Sequence, residues 1–177
     1  MQAKEFTLEA KGPVLVGTLQ LYVTRPRNNK KLTEILKPIM RDLIWTSTAS
    51  KNADGSYTSE WVEWCDSQMP QWLSKEGVLF KVMPGAKILN MNTDRDAYRI
   101  AKRYGVASPK DMLDSFTWLE KFPWDKIKEE FDAVHHVPSG GRGINLLMSS
   151  WDVEGTVWFN RRYLQDMGWV KVRPRES

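Results

Sequence analysis

The sequence predicts an α+β protein built on a mostly antiparallel sheet with flanking helices. Three observations point there. Strand-forming stretches crowd both ends of the chain, helical patterns occupy its middle, and the regular strand–helix–strand alternation of a parallel sheet is missing. With 177 residues and no internal repeat, low-complexity segment or long linker, residues 1–177 read as one domain. A chain of that size buries roughly two thirds of its unfolded surface.

Residues 14–24 are dense in Val, Leu, Thr and Tyr and read as a strand, with Gly17 as a candidate bulge. Arg25-Pro26-Arg27-Asn28-Asn29 ends it, because proline cannot donate to a ladder and asparagine favours turns. Leu32, Ile35, Leu36, Ile39 and Met40 then recur at helical spacing, with Pro38 kinking or shortening that helix. Residues 43–48 return to strand composition and end in the hydroxyls of Thr46, Ser47 and Thr48. Residues 49–60 read as a polar loop turning at Asp54-Gly55, followed by a short helix carrying Trp61, Val62 and Cys65. Residues 79–82 and 87–90 read as two strands about a Pro84-Gly85 turn. Thr93 and Asp96 form a capping-box pattern ahead of Ala97, Ile100, Ala101 and Tyr104, and Gly105 stops that helix. Ser108-Pro109 opens another helix, and Trp124, Ile127 and Phe131 mark one more. Residues 132–137, the stretch after Glu154, and residues 169–172 read as the closing strands.

Composition narrows the function classes. No apolar run approaches the ~18 residues of a membrane-spanning helix, and the first residues lack the basic-then-apolar pattern of a signal peptide. One cysteine, Cys65, excludes an internal disulfide framework and, with the missing export signals, points to the cytoplasm. The net charge of +4 gathers at Arg161-Arg162 and residues 171–175, a solvated basic edge or a phosphate-binding one. The glycine-bearing loop at 139–143 lacks the spacing of a dinucleotide fingerprint, and no phosphate-loop Gly-Lys-Ser/Thr occurs. His135 and His136 are adjacent, so on a strand they face opposite sides; this and the lone cysteine argue against zinc. Either histidine is placed to line a cleft or to fill the core edge. Cys65, beside Trp61 and Trp64, reads as a small buried hydrophobe, and most of the nine tryptophans as core, a few as stacking platforms.

The stretch richest in chemistry is Trp151-Asp152-Val153-Glu154-Gly155-Thr156-Val157-Trp158. Its second half is a buried strand, and two carboxylates precede it. In extended geometry Asp152 and Glu154 share one side of the sheet. A carboxylate opening an apolar strand costs desolvation energy unless a partner or a wet cleft compensates. Glu154 is therefore either a site of chemistry or a strand-end ion pair.

Three pieces stand in order: a strand ending in arginine (Leu21-Tyr22-Val23-Thr24-Arg25), a strand ending in hydroxyls (Ile44-Trp45-Thr46-Ser47-Thr48), and a late strand opened by Asp152-Val153-Glu154. This order resembles the Arg / Ser-Thr-Ser / Glu-x-Glu layout of mono-ADP-ribosyltransferases. Residues 43–64, 79–105 and 131–159 also resemble small proteins of actinobacteria and their phages near that fold. The resemblance implies a split β-sheet gripping NAD, the substrate, in a central cleft. It implies that Arg25, with Arg27 as fallback, holds the NAD phosphate or ribose. Thr46, Ser47 and Thr48 would support the nicotinamide pocket and orient Glu154, the catalytic glutamate. Trp45 and Tyr57 would stack on the dinucleotide. The residue types suit the chemistry: a fixed carboxylate stabilises an oxocarbenium-like ribose, and an arginine fork fits a pyrophosphate. Asp152 is one methylene shorter than the family's Glu or Gln, so the acceptor class, protein or nucleic acid, is left open. Two other readings stand beside this one: an NAD hydrolase with water as acceptor, and a non-catalytic module binding nucleic acid or protein, of phage or bacterial origin.

Overall fold

The computed structural model describes residues 15–23, 44–105, 122–138 and 153–175. The expected helix at residues 32–40, the helix start at Ser108-Pro109, the loop at 139–143, and the candidate residues Arg25, Arg27 and Asp152 lie outside the described residues. The first half of the described chain comprises β1 (Leu19–Val23), β2 (Ile44–Thr48), β3 (Ser50–Lys51), β4 (Tyr57–Thr58), α1 (Glu60–Gln68), a 3-10 turn (Pro70–Trp72) and β5 (Glu76–Val82). The second comprises β6 (Ile88–Asn90), α2 (Asp94–Arg103), α3 (Trp124–Glu130), β7 (Ala133–His136), β8 (Gly155–Trp158) and β9 (Leu164–Lys171).

Among the described residues seven strands form one sheet in the order β6-β7-β8-β2-β1-β5-β9, and β3 and β4 form a separate hairpin. Every pairing in the large sheet is antiparallel except β6 with β7. The α+β class and the mostly antiparallel sheet are thus features of the structure. β2 joins two portions of that sheet. Its first three residues pair with β8, Ile44 opposite Trp158 and Thr46 opposite Thr156. Its last two pair with β1, Ser47 opposite Leu21 and Thr48 opposite Gln20.

Side-chain alternation explains the packing. On one face Leu21, Val23 and Leu79 meet Val62 of α1 and Val172, while Leu89, Val134 and Val157 meet Ala97, Ile100 and Ala101 of α2 and Ile127 of α3. On the other face Ile44, Phe80, Val82, Ala133, Trp158 and Leu164 form one cluster drawn from five strands. β1 lies between β2 and β5, and what it presents on this face is the buried amide of Gln20 and the exposed Tyr22. The capping box expected before α2 is present: the Thr93 hydroxyl accepts the Asp96 N–H, and the Asp96 carboxylate accepts the Thr93 N–H. Cys65 is buried against this core, as expected for a small hydrophobe.

Two local expectations need correction. Gly17 is no bulge: it sits in the turn before β1 at φ 82°, its N–H donating to the Val82 carbonyl. The sheet's irregularity lies instead between β5 and β9, where the register shifts between Val78 and Phe80. Residues 49–60 hold the β3–β4 hairpin around Asp54-Gly55, too short to leave a periodic signal. The two strands expected about Pro84-Gly85 are present as β5 and β6, and β6 crosses over to run parallel to β7. Asp132 fixes that crossover. Its carboxylate accepts the Lys87 N–H at 2.9 Å, Asn160 Nδ2 at 3.0 Å and Arg162 Nη2 at 2.8 Å. Burial pushes this carboxyl up, and those three hydrogen bonds with the Arg162 charge bring it below its ordinary value.

Candidate functional site

The handover of β2 from one neighbour to the other leaves a gap in the ladder, and Glu154 fills it. Continuing the β2–β8 register by two residues sets Thr48 opposite Glu154, the residue just before β8. There the side chain of Glu154 takes the place of a backbone carbonyl: Thr48 N–H donates to Oε2 at 2.8 Å. The Thr48 hydroxyl donates to Oε1 at 2.8 Å. The Ser47 hydroxyl lies 2.9 Å from both Oε2 and the Glu154 carbonyl, which share its single proton. From β7, His135 Nε2 is 2.9 Å from Oε1 and donates to it. The Glu154 backbone N–H is taken by Glu60 Oε2, at the start of α1, at 2.8 Å.

Glu154 is 8% exposed and His135 1% exposed. Burial alone pushes the Glu154 carboxyl up. The hydrogen bonds from His135, the Thr48 N–H, the Thr48 hydroxyl and Ser47 outweigh it and hold the group below its ordinary value. The site therefore presents an ionised, rigidly oriented carboxylate. His135 is held from its other side, Nδ1 lying 3.0 Å from Asn90 Oδ1. His136 faces the opposite side of β7, as alternation demands, and donates Nδ1–H to the Met91 carbonyl at 2.8 Å.

Of the residues singled out from sequence, Ser47, Thr48 and Glu154 are in direct contact, and His135 joins them. Thr46 shares the face of Thr48 but bonds Gln20 and Trp158 in place of the carboxylate, donating to Gln20 Oε1 and accepting from the Trp158 indole. Trp45 shares the Ser47 side of β2 and is 39% exposed. Tyr57 packs against the cluster of Leu21, Val62 and Val172, and its strand bridges to Val172. The Val23 end of β1 and the hydroxyl end of β2 are opposite ends of one antiparallel ladder. Gln20, the residue opposite Thr48, precedes Val23 by three positions, ~10 Å at strand rise. Sequence reasoning missed Gln20, Glu60 and Asn90. Gln20 left a signal: it is an amide inside an apolar strand, completely buried.

An open groove among the described residues lies elsewhere. About 400 Å³ in volume, it is lined by Asp54, Gly55, Ser56, Trp169, Val170, Lys171 and Arg173, and by none of the residues around Glu154. Among the described residues no three His, Cys, Asp or Glu side chains gather as metal ligands, and no helix is long and apolar enough to cross a membrane. No protein-family model, curated protein or solved structure matches the chain.

Proposed function

We propose that the protein is an NAD-dependent mono-ADP-ribosyltransferase, with NAD as substrate and a macromolecule as acceptor. The single observation that carries this reading is the fixing of one ionised carboxylate, Glu154, by the hydroxyls of Ser47 and Thr48 where β2 ends. In the reaction the bond between ribose C1′ and the nicotinamide nitrogen breaks, and its electron pair leaves with nicotinamide. The positive charge spreads over C1′ and the ring oxygen until an acceptor nucleophile bonds to C1′ and gives up its proton. A carboxylate already oriented needs no reorganisation to stabilise that charge. Ser47 and Thr48 hold it, and His135 keeps its Oε1 edge in place. Arg25 would hold the pyrophosphate and Asp152 would act in acceptor choice; Trp45 and Tyr57 would supply aromatic contact to the dinucleotide.

Nicotinamide release from NAD tests this, with wild type and Glu154→Gln compared in a cell lysate that supplies acceptors. We expect wild-type release that falls at least ~100-fold in the variant, the scale of losing a central electrostatic stabiliser. Melting curves of both proteins separate lost chemistry from lost fold. Undiminished release in Glu154→Gln would sink the mechanism.

A second reading rests on another feature of the same carboxylate. Four donors, from Ser47, both groups of Thr48 and His135, already fill its acceptor positions. On that reading Glu154 is a structural tie and the protein is a non-catalytic module for nucleic acid or protein. It requires no nicotinamide release from either form, and for nucleic acid a binding constant that falls steeply with salt.

A further inference from the structure

We infer that Gln20 is a positioning residue for Glu154, acting through the hydroxyl of Thr48. Gln20 is fully buried in the middle of β1. Its Nε2 lies 3.0 Å from Thr48 Oγ1 and 3.3 Å from Thr18 Oγ1, and its Oε1 lies 2.8 Å from Thr46 Oγ1. Which way each bond runs follows from the donors available. The Trp158 indole can only donate, and it lies 2.9 Å from Thr46 Oγ1. Thr46 therefore accepts there and spends its own proton on Gln20 Oε1. That orientation turns the Gln20 amide N–H groups toward Thr18 and Thr48. Thr18 spends its proton on the Leu15 carbonyl at 2.7 Å and accepts from Gln20. Thr48 likewise accepts from Gln20, so its one proton is left for Glu154 Oε1 at 2.8 Å.

The opposite orientation of the amide fails on the same count. With Oε1 toward Thr48 and Thr18, both hydroxyls would be drawn to it, away from Glu154 and from the Leu15 carbonyl. Thr46 would face two donors with no acceptor for its proton. The network as a whole selects one orientation. A chain of fixed polarity runs from the Trp158 indole through Thr46, Gln20 and Thr48 to the carboxylate. Its role is to keep the Thr48 hydroxyl aimed at Oε1.

This inference deepens the proposed function and takes its catalytic meaning from it, but its test reads the carboxyl directly. Glu154 is followed by carboxyl ¹³C NMR against pH in wild type, Gln20→Met, Thr48→Val and the double variant. The other titratable groups at the carboxylate, His135 from β7 and Glu60 from α1, are unchanged in all four. Gln20→Met has similar length and no amide, so the Thr48 hydroxyl loses its guide and the Glu154 midpoint moves upward. Thr48→Val removes the hydroxyl and moves it upward too. Because Gln20 acts through Thr48, the double variant titrates like Thr48→Val alone. A role in packing alone leaves the midpoint still in Gln20→Met, or makes the two shifts add; either result overturns the inference. Should Gln20→Met fail to fold, the same-shaped Gln20→Glu serves. Its carboxylate draws the Thr48 proton away, and a Glu154 midpoint at or below the wild-type value would overturn the inference equally. A protein that releases no nicotinamide can still pass, so failure of the enzyme reading and failure of this one are distinguishable.

Discussion

Thr156 is the residue at which the site departs from full hydrogen-bond satisfaction. It stands in register between Thr46 and His135 and is fully buried, yet among the described residues its hydroxyl has no hydrogen-bond partner. A buried hydroxyl left alone costs about 1–3 kcal/mol of desolvation, and valine has the same shape without it. Thr156→Val is therefore expected to raise stability by roughly 1 kcal/mol, read as a higher urea midpoint at unchanged slope. A lower midpoint would mean that the hydroxyl has found a partner. Its neighbours show the contrast: Thr46, Ser47 and Thr48 each place their proton on an oxygen.

Among the elements, β1 and β5 approach closely at Gly77. A Cβ built on Gly77 would stand 2.7 Å from the Tyr22 carbonyl and 3.1 Å from side-chain atoms of Leu21 and Val172. The nearest of these is backbone, which cannot rotate away. Gly77→Ala should thus cost about 1–3 kcal/mol through overpacking and push β1 from β5. The matching change at Gly55 meets nothing within 4 Å, and its cost arises only from a φ of +85°. Comparing the two melting temperatures separates steric from conformational cost. A Gly77→Ala protein as stable as wild type would contradict the packing described here. β9, the outer strand, breaks its register against β5 near Gly168 and carries Gln165, Asp166 and Lys171, features that discourage pairing with another chain.

On the scale of the whole molecule, two buried carboxylates tie distant parts of the chain together, and both titrate below their ordinary values. Glu154 joins β2, β7 and α1, and Asp132 joins the segments before β6 and after β8. A carboxyl depressed by folding stabilises the native state above its unfolded value, and that contribution is lost as pH falls through the folded value. For Glu154 the reference is 4.5 and for Asp132 it is 3.8, so the loss begins near those values and continues below them. The stability gap between wild type and Glu154→Gln should accordingly be widest near neutrality and close below about pH 4.5. Urea denaturation at pH 7 and at pH 3.5 measures it. A gap that stays constant would show that the charge of Glu154 is not what the hydrogen bonds stabilise.

Local features were legible in the amino-acid sequence because local physics sets them. The capping box at Thr93 and Asp96, the turn at Asp54-Gly55, the hydroxyl end of β2 and the buried strand after Glu154 all depend on neighbours a few residues away. Glu154 stood out because a carboxylate at the mouth of an apolar strand needs a partner. Which partner it finds is a matter of sheet order, and sheet order is decided by long-range burial that leaves no periodic trace. Only the tertiary structure sets β2 between β8 and β1, brings His135 to Oε1 and puts Gln20 behind Thr48. It also makes the Val23 end of β1 and the hydroxyl end of β2 opposite ends of a ladder, since strand direction follows from pairing and not from composition. The sequence by itself determined the class of fold and the carboxylate. The pairing of strands decided what holds that carboxylate, because side chains 19 and more than 100 residues away must meet at one point.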